Sequence, residues 1–390
     1  MLDKCELCGI EALVSVYTPE RSARNISIHI CENCGLVQSL PRADRDVRRA
    51  AAVSGGADWG NVRYGKGFRT KIALDAVLRH NNPEDAFALL DVGSNRGSFA
   101  RALLSAAPHV DIVAVEPDER IAQSCTDLDR TELHVSRIED VALETNRFDV
   151  IHSCHTIEHV AHPAHVLHDH WRTLKNGGQL VLDAPNIDLI GVDDIVEEWF
   201  IDKHLYHFSG RTLSRMIQAS GFSIVEPPDC TDLANLFFVA RKSMPEHAPF
   251  SSDPQEVDKA YRLITDYVTN RACNLAALGA VAAELAVLAP KGIAMWGAGR
   301  IFDSLVVHGR FDAKILKLLI DTHLKTHVGE RYGCALAGPD ALAEANPGVI
   351  VVMSRSFANE IEIEARKAVP TAEIIHYADL LSRARTRLAA

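Results

Sequence analysis

The sequence predicts an α/β protein in which two parallel-sheet units follow a small cysteine-rich segment. Three observations predict it. Apolar runs that read as buried strands alternate with amphipathic stretches of helical period over residues 68–242, and again after Pro290. In each repetition a glycine-bearing turn follows the first strand, Gly93 to Gly97 in one and Gly297 to Gly299 in the other. Four of the nine cysteines form two Cys-x-x-Cys pairs at the N-terminus.

In chain order, Cys5-Glu-Leu-Cys8 and Cys31-Glu-Asn-Cys34 predict two knuckles whose thiolates meet at one tetrahedral zinc. Gly9 and Gly35 follow the knuckles and suit the tight turn each needs. With four cysteine ligands the site is closed and its role structural, a folding clip or a lid. Residues 42–67 are polar and glycine-rich around Trp59 and Tyr64, a connector placed to cap a ligand pocket, and lead into a helix from about 68 to 80. Boundaries are expected at 1–67 for the zinc segment and connector, 68–242 for the first α/β unit, and 243–390 for linker, helix and second unit. The linker is read at 243–256, which carries three prolines and no periodicity. Helical spacing then runs from Glu256 to Ala289, and the runs 292–300, 315–321 and 349–354 predict a small parallel sheet.

The first unit carries the most chemistry. Leu89-Leu-Asp-Val-Gly-Ser-Asn-Arg-Gly97 reads as strand and tight loop, a helix follows from Ser98, and the next strand ends in Glu116. Glycines let a loop backbone lie against a ligand, the helix start offers free N–H groups, and an acid at the second strand end accepts hydrogen bonds from a ribose diol. The spacing is Gly-x-x-x-Gly. A dinucleotide fingerprint is Gly-x-Gly-x-x-Gly, closed on a pyrophosphate, which points instead to a ribonucleoside without one.

This pattern resembles the class I S-adenosylmethionine-dependent methyltransferases. The resemblance extends to Phe148-Asp-Val-Ile-His-Ser-Cys-His-Thr-Ile-Glu-His-Val160 and to Leu174-Lys-Asn-Gly-Gly-Gln-Leu-Val-Leu182, in order, over about residues 68–225. It implies a Rossmann-like methyltransferase core with S-adenosylmethionine as cofactor. Gly93, Asn95 and Gly97 are then expected at the methionine end, with Asp91 beside them, and Glu116 with Pro117 at the ribose. Glu139 and Asp140 are expected near the adenine, and His155 and Thr156 at the methyl-bearing end.

His155-Thr-Ile-Glu-His159 also matches His-x-x-Glu-His, a zinc-protease pattern. It directly follows a strand and no third ligand is evident, so the context argues against a metal. His162, His165, His168 and His170 continue the run and are expected on an exposed helix surface. His204, past the fifth strand and just before a helix, is the candidate base, with His159 as a second candidate catalytic residue. Phe208-Ser209 reads as a helix lead-in with a capping serine.

Zinc knuckles, methyltransferase core and second Rossmann-like unit in this order resemble the nucleotide-sugar C-methyltransferases of deoxysugar biosynthesis. Trp296-Gly-Ala-Gly-Arg300, Leu319-Ile-Asp321 and Val352-Met-Ser-Arg-Ser-Phe-Ala-Asn-Glu-Ile361 carry that resemblance in the second unit. It implies methylation beside a ketone through an enolate, with the base in a Tyr-x-Glu-His segment. Here that segment reads Ile201-Asp-Lys-His204, so only the histidine matches. O- or N-methylation of another small metabolite stays open, as does a zinc-ribbon binding or regulatory protein with a vestigial core. A nicotinamide site at Gly297-Ala-Gly299 is disfavoured because Phe302 stands where the fingerprint needs glycine.

A net charge of −11 argues against nucleic acid as a partner and leaves a small molecule, a nucleotide-sugar in the finer reading. Met1-Leu-Asp-Lys-Cys-Glu has neither a basic region nor an apolar stretch, and no apolar window is expected to reach a membrane span. Cytoplasmic localisation without membrane attachment is therefore expected. The oligomeric state is not legible.

Overall fold

The computed structural model describes residues 3–20, 22, 24–42, 66–191, 193–197, 199–226, 235–244, 250–322, 324–326, 328–354 and 357–389. The connector with Trp59 and Tyr64 lies outside them. The chain divides into two compact units, one comprising 1–50, 63–190 and 199–264, the other 51–62, 191–198 and 265–390.

In the first unit, β1 (Leu13–Tyr17), β2 (Ser27–Cys31) and β3 (Val37–Leu40) form an antiparallel meander. Seven further strands form the central sheet. They are β4 (Ala88–Val92), β5 (Asp111–Val115), β6 (Thr131–His134), β7 (Phe148–Cys154), β8 (Leu174–Pro185), β10 (Phe222–Glu226) and β11 (Asn235–Lys242), with β9 (Tyr206–His207) intervening in the chain. Their order is β10-β11-β8-β7-β4-β5-β6. The five strands from β8 to β6 are parallel, and β11 and β10 add an antiparallel edge. Helix Lys66–His80 matches the one expected from 68, and Ser98–Ala106 starts directly after Gly97.

Strands β4, β7 and β8 read as near-continuous apolar runs because both faces of a parallel sheet are covered. Leu90, Ile151, Leu180 and Leu182 pack on one face, and Leu89, Val150 and Val181 on the other. The cysteine segment shares this core, since Cys5, Leu7, Cys31, Cys34 and Leu36 cluster with Leu205, Tyr206 and Phe208. The two-residue strand β9 pairs with β3 in register Val37 to His207 and Gln38 to Tyr206. The described end of the predicted linker is held in the same unit. Asp253 N–H donates to Asn33 O at 2.8 Å, and the Asp253 carboxylate pairs with Arg211 and Arg215.

The second unit has β12 (Ile293–Trp296), β13 (Leu316–Ile320), β14 (Glu330–Arg331), β15 (Cys334–Ala337), β16 (Val349–Val352) and β17 (Glu373–His376), ordered β14-β15-β13-β12-β16-β17. All pairs are parallel except the β14–β15 hairpin. The three runs expected from sequence are β12, β13 and β16, its three central strands.

One helix, Pro254–Leu288, revises the expectation about apolar windows. It is long and apolar enough by length and composition to cross a membrane, with a mean hydropathy of 1.8 in its most apolar window. Its buried residues from 265 onward, Tyr267, Arg271, Asn274, Leu278, Val281 and Leu285, recur at helical spacing, as on the inner face of a packed helix. Leu278, Val281 and Leu285 close the second unit's core with Met295, Phe302 and Leu305.

Candidate functional site

The loop after β4 turns on three residues in the left-handed region, Gly93 (φ 73°), Asn95 (φ 51°) and Gly97 (φ 72°). Two of them need glycine for space as well as conformation. A Cβ on Gly93 would fall on Thr156 Oγ1, and one on Gly97 would lie 2.8 Å from Cys125 Sγ. The loop is held to β5 by Gly93 and Ser94 N–H groups donating to Val115 O at 2.9 and 3.1 Å.

Glu116 follows β5 and is 6% exposed. Its carboxylate is fixed by backbone donors, Asn95 N–H to Oε2 at 3.0 Å and Asp118 N–H to Oε1 at 2.9 Å. Pro117 is exposed beside it. Asp91, at the end of β4, is buried. Its Oδ1 lies 2.8 Å from His152 Nδ1, while Oδ2 has no hydrogen-bond partner. Phe99 stacks on the His152 ring at 3.9 Å between centroids.

Glu139 and Asp140 lie in the short 3-10 turn Ile138–Asp140. Glu139 Oε1 accepts Ala161 N–H at 3.2 Å, tying that turn to the segment after β7, and Asp140 is exposed.

The segment following β7 brings the titratable groups together. His155, itself at φ 48°, places Nε2 2.7 Å from Asn235 Oδ1 and 3.6 Å from Asp183 Oδ1. Burial, the largest single influence, works against its protonation, but the charge and hydrogen bond of Asp183 together with the Glu158 charge raise its pKa on balance. Thr156 Oγ1 lies within hydrogen-bond reach of Val92 O and Cys154 O, bridging the ends of β4 and β7. Glu158 is 1% exposed, and neither carboxylate oxygen has a hydrogen-bond partner. His159 donates Nδ1–H to Lys203 O at 2.8 Å, and His204 donates Nδ1–H to Trp199 O at 3.0 Å. Their rings lie 5.0 Å apart.

His204 is positioned by backbone. Leu205 and Tyr206 N–H groups donate to Glu158 O at 2.8 and 3.3 Å, and Ser39 Oγ donates to His204 O at 2.8 Å. Burial first, then the neighbouring His159 and His207, holds the His204 pKa well below the usual range, and burial lowers that of His159. The structure thus joins the two sequence-predicted catalytic histidines and adds Glu158, which the sequence analysis named only as the acid of the disfavoured His-x-x-Glu-His pattern. Glu158 and His159, without the motif's other histidine His155, lie with His204 in a group that could hold a metal ion. The later histidines are a partial correction. His162, His165 and His168 are exposed, but His170 is buried on the inner side of helix Pro163–Thr173, with burial bringing its pKa to about 4.

The four cysteines expected to share a metal also converge. Cys5 and Cys34 Sγ are 3.5 Å apart, Cys8 and Cys31 Sγ 3.6 Å. Tetrahedral zinc with bonds of about 2.3 Å separates its sulfurs by about 3.8 Å, so the cluster fits that ion. The knuckles repeat one geometry. Gly9 N–H donates to Cys5 O and Gly35 N–H to Cys31 O, while Cys5 and Cys31 N–H donate to Ile10 and Leu36 O.

Residues 66–227 match the family described as methyltransferase domain. The chain is 30% identical over 135 residues to the mitochondrial ubiquinone biosynthesis O-methyltransferase of Candida albicans, covering 32% of this chain and 41% of that protein. It is 24% identical over 144 residues to a 37.1 kDa protein of transposon TN4556 from Streptomyces fradiae, covering 34% and 41%. The chain thus spans about two fifths of the length of these curated relatives. A crystal structure of an S-adenosylmethionine-dependent methyltransferase from Mesorhizobium loti aligns with a TM-score of 0.36 at 18% identity, covering 46% of this chain and all of that one. The family match over residues 66–227 takes in six of the seven strands of the first unit's central sheet, all but β11.

Proposed function

We propose that the chain transfers a methyl group from S-adenosylmethionine to a small molecule. The observation that carries this reading is the β4–β5 turn, where a glycine cradle, a fixed buried carboxylate and an unpartnered acid oxygen converge. The Glu116 oxygens accept the N–H groups of Asn95 and Asp118, which fixes the carboxylate where a ribose hydroxyl would donate to it. Asp91 Oδ2, buried and without a partner, suits the cofactor's ammonium group. The loop backbone is the surface against which the methionine portion would lie. The bound cofactor supplies an already activated methyl group, so the protein's remaining tasks are orientation and proton removal.

Proton removal falls to His204. Its Nδ1–H is committed to Trp199 O, so its neutral ring presents a lone pair at Nε2, and His159 does the same beside it. The buried Glu158 carboxylate would compensate the charge that either ring gains on taking a proton. In the finer reading, the acceptor is a nucleotide-linked keto-deoxysugar methylated at carbon beside its ketone. O- or N-methylation of another metabolite is the alternative. The cysteine cluster is proposed to hold one structural zinc.

Isotope-labelled methyl transfer to a panel of nucleotide-linked keto-sugars, with deuterium exchange at the adjacent carbon, tests this. Transfer together with exchange is expected, and His204→Asn should abolish both while S-adenosylmethionine still binds. Full turnover in that variant would remove His204 as the base. Transfer confined to oxygen or nitrogen acceptors would overturn the sugar reading alone.

A further inference from the structure

We propose that Glu158, His159 and His204 form a binding site for one divalent transition-metal cation, separate from the four cysteines. The first reason is Glu158. A buried carboxylate with both oxygens unpartnered is costly unless something positive meets it. The polar atoms facing it are imidazole nitrogens, His155 Nδ1 at 3.5 Å and His159 Nε2 at 3.7 Å, beyond the range of a good hydrogen bond.

The second reason is the state of the two ligand imidazoles. A carbonyl oxygen only accepts, so Lys203 O and Trp199 O fix the proton of each ring on Nδ1 and leave Nε2 with its lone pair. Metal-bound histidines are oriented by the same kind of outer hydrogen bond. One ligand atom from each of the three residues already lies within 4.8 Å of the others. Bonds of about 2.0–2.2 Å to a common ion require ligand separations below about 4.4 Å, a contraction that small side-chain rotations provide. The backbone beneath is fixed, because Leu205 and Tyr206 N–H donate to the carbonyl of Glu158 itself.

Two imidazoles and one carboxylate favour zinc, cobalt, iron or manganese over calcium or magnesium, and leave coordination positions open. The Nε2 lone pair of His204 that would bind the cation is the one proposed to take the acceptor's proton. Cation and proton therefore compete, so metal occupancy would switch the base off; this consequence rests on the methyltransferase reading, whereas the binding site does not.

The test uses the full chain with zinc loaded in the cysteine cluster, titrated with Co2+ alone. Metal content and visible cobalt absorption without thiolate charge transfer are recorded. A second metal equivalent per chain is expected, lost in Glu158→Gln and in His159→Asn while the zinc equivalent remains. Circular dichroism identifies folded variants, and His159, at a partly exposed position, is the milder change. A single equivalent at saturating Co2+, or a second one retained in both folded variants, overturns the site. Where transfer is measurable, it should fall as the second equivalent fills; transfer indifferent to filling overturns the competition. S-adenosylmethionine binding, measured separately, decides the methyltransferase reading without touching the metal stoichiometry.

Discussion

In the first unit the acid after β5, Glu116, accepts N–H groups from Asn95 in the glycine loop and from Asp118 two residues on. In the second unit the acid after β13, Asp321, does nearly the same, accepting Ala298 N–H at 3.0 Å and Leu324 N–H at 2.9 Å. Both turns use glycines at positive φ, and a Cβ on Gly297 would press on Met353 O, as one on Gly93 would on Thr156. The difference lies one strand further on. After β7 come His155, Thr156, Glu158 and His159, whereas after β16 come Met353 and Ser354, with Ser354 Oγ accepting Phe357 N–H. A strand, glycine turn and acid are thus a shared way of closing a parallel-sheet crossover. Chemistry is distinguished by what the neighbouring strand delivers to the same edge.

The largest expected contrast is in metal dependence. Among the described residues the second unit contains no group of metal-ligating side chains, whereas the first holds both. Removing zinc with a strong chelator should cost the first unit several kcal/mol and lower its thermal midpoint, leaving the second unit's transition in place. Calorimetry with and without chelator resolves this, and equal shifts in both transitions would contradict a site confined to the cysteines.

Acid should separate the units next. His170 is buried and its folded pKa is about 4, while an unfolded histidine takes its proton near 6.5. Between those values the unfolded state binds more protons, so stability is lost as pH falls through this window, by about 2 kcal/mol at pH 5. Among the described residues the second unit has no buried histidine. Denaturant titration at pH 7.5 and pH 5 should show the loss in the first unit, and His170→Gln should remove the His170 share while the buried His207, also held low by burial, keeps part of it.

The finest contrast concerns the two acids themselves. Glu116→Ala should weaken S-adenosylmethionine binding by about 1–3 kcal/mol, the scale of charge-assisted hydrogen bonds lost. Asp321→Ala should leave that affinity unchanged if the first turn alone holds the cofactor. Calorimetric titration of both variants checks this, and a reversed pattern would move the cofactor to the second unit.

These contrasts follow how far each feature was legible in the sequence. The cysteine knuckles and the Gly93 to Gly97 loop are local, their ligands or turns separated by two or three residues, so spacing alone carried them. Ser209 likewise caps helix Gly210–Ala219 as its sequence context predicts, exchanging hydrogen bonds with Thr212. The pairing of Glu158 and His159 with His204 was not legible, because it depends on a two-residue strand, β9, that carries no periodicity. His170 was misplaced because a histidine-rich run reads as polar, whereas helix Pro163–Thr173 turns one of its imidazoles inward beside Val166 and Leu167. In the second unit, the two-residue β14 and the four-residue β15 are too short to show alternation.

The pairing of β3 with β9 also bears on how such a chain can be recombined. Ser39 holds the backbone of His204 and the ring of His207, so the strand that follows the second cysteine pair is part of the support for the imidazoles. A chimera that transplants residues 66–227 into a relative would carry the Gly93 to Gly97 loop intact but leave that support behind. The cassette that can be exchanged with its chemistry preserved therefore includes residues 3–42, and the boundary suggested by the methyltransferase family match is not a boundary of inheritance for the histidine site.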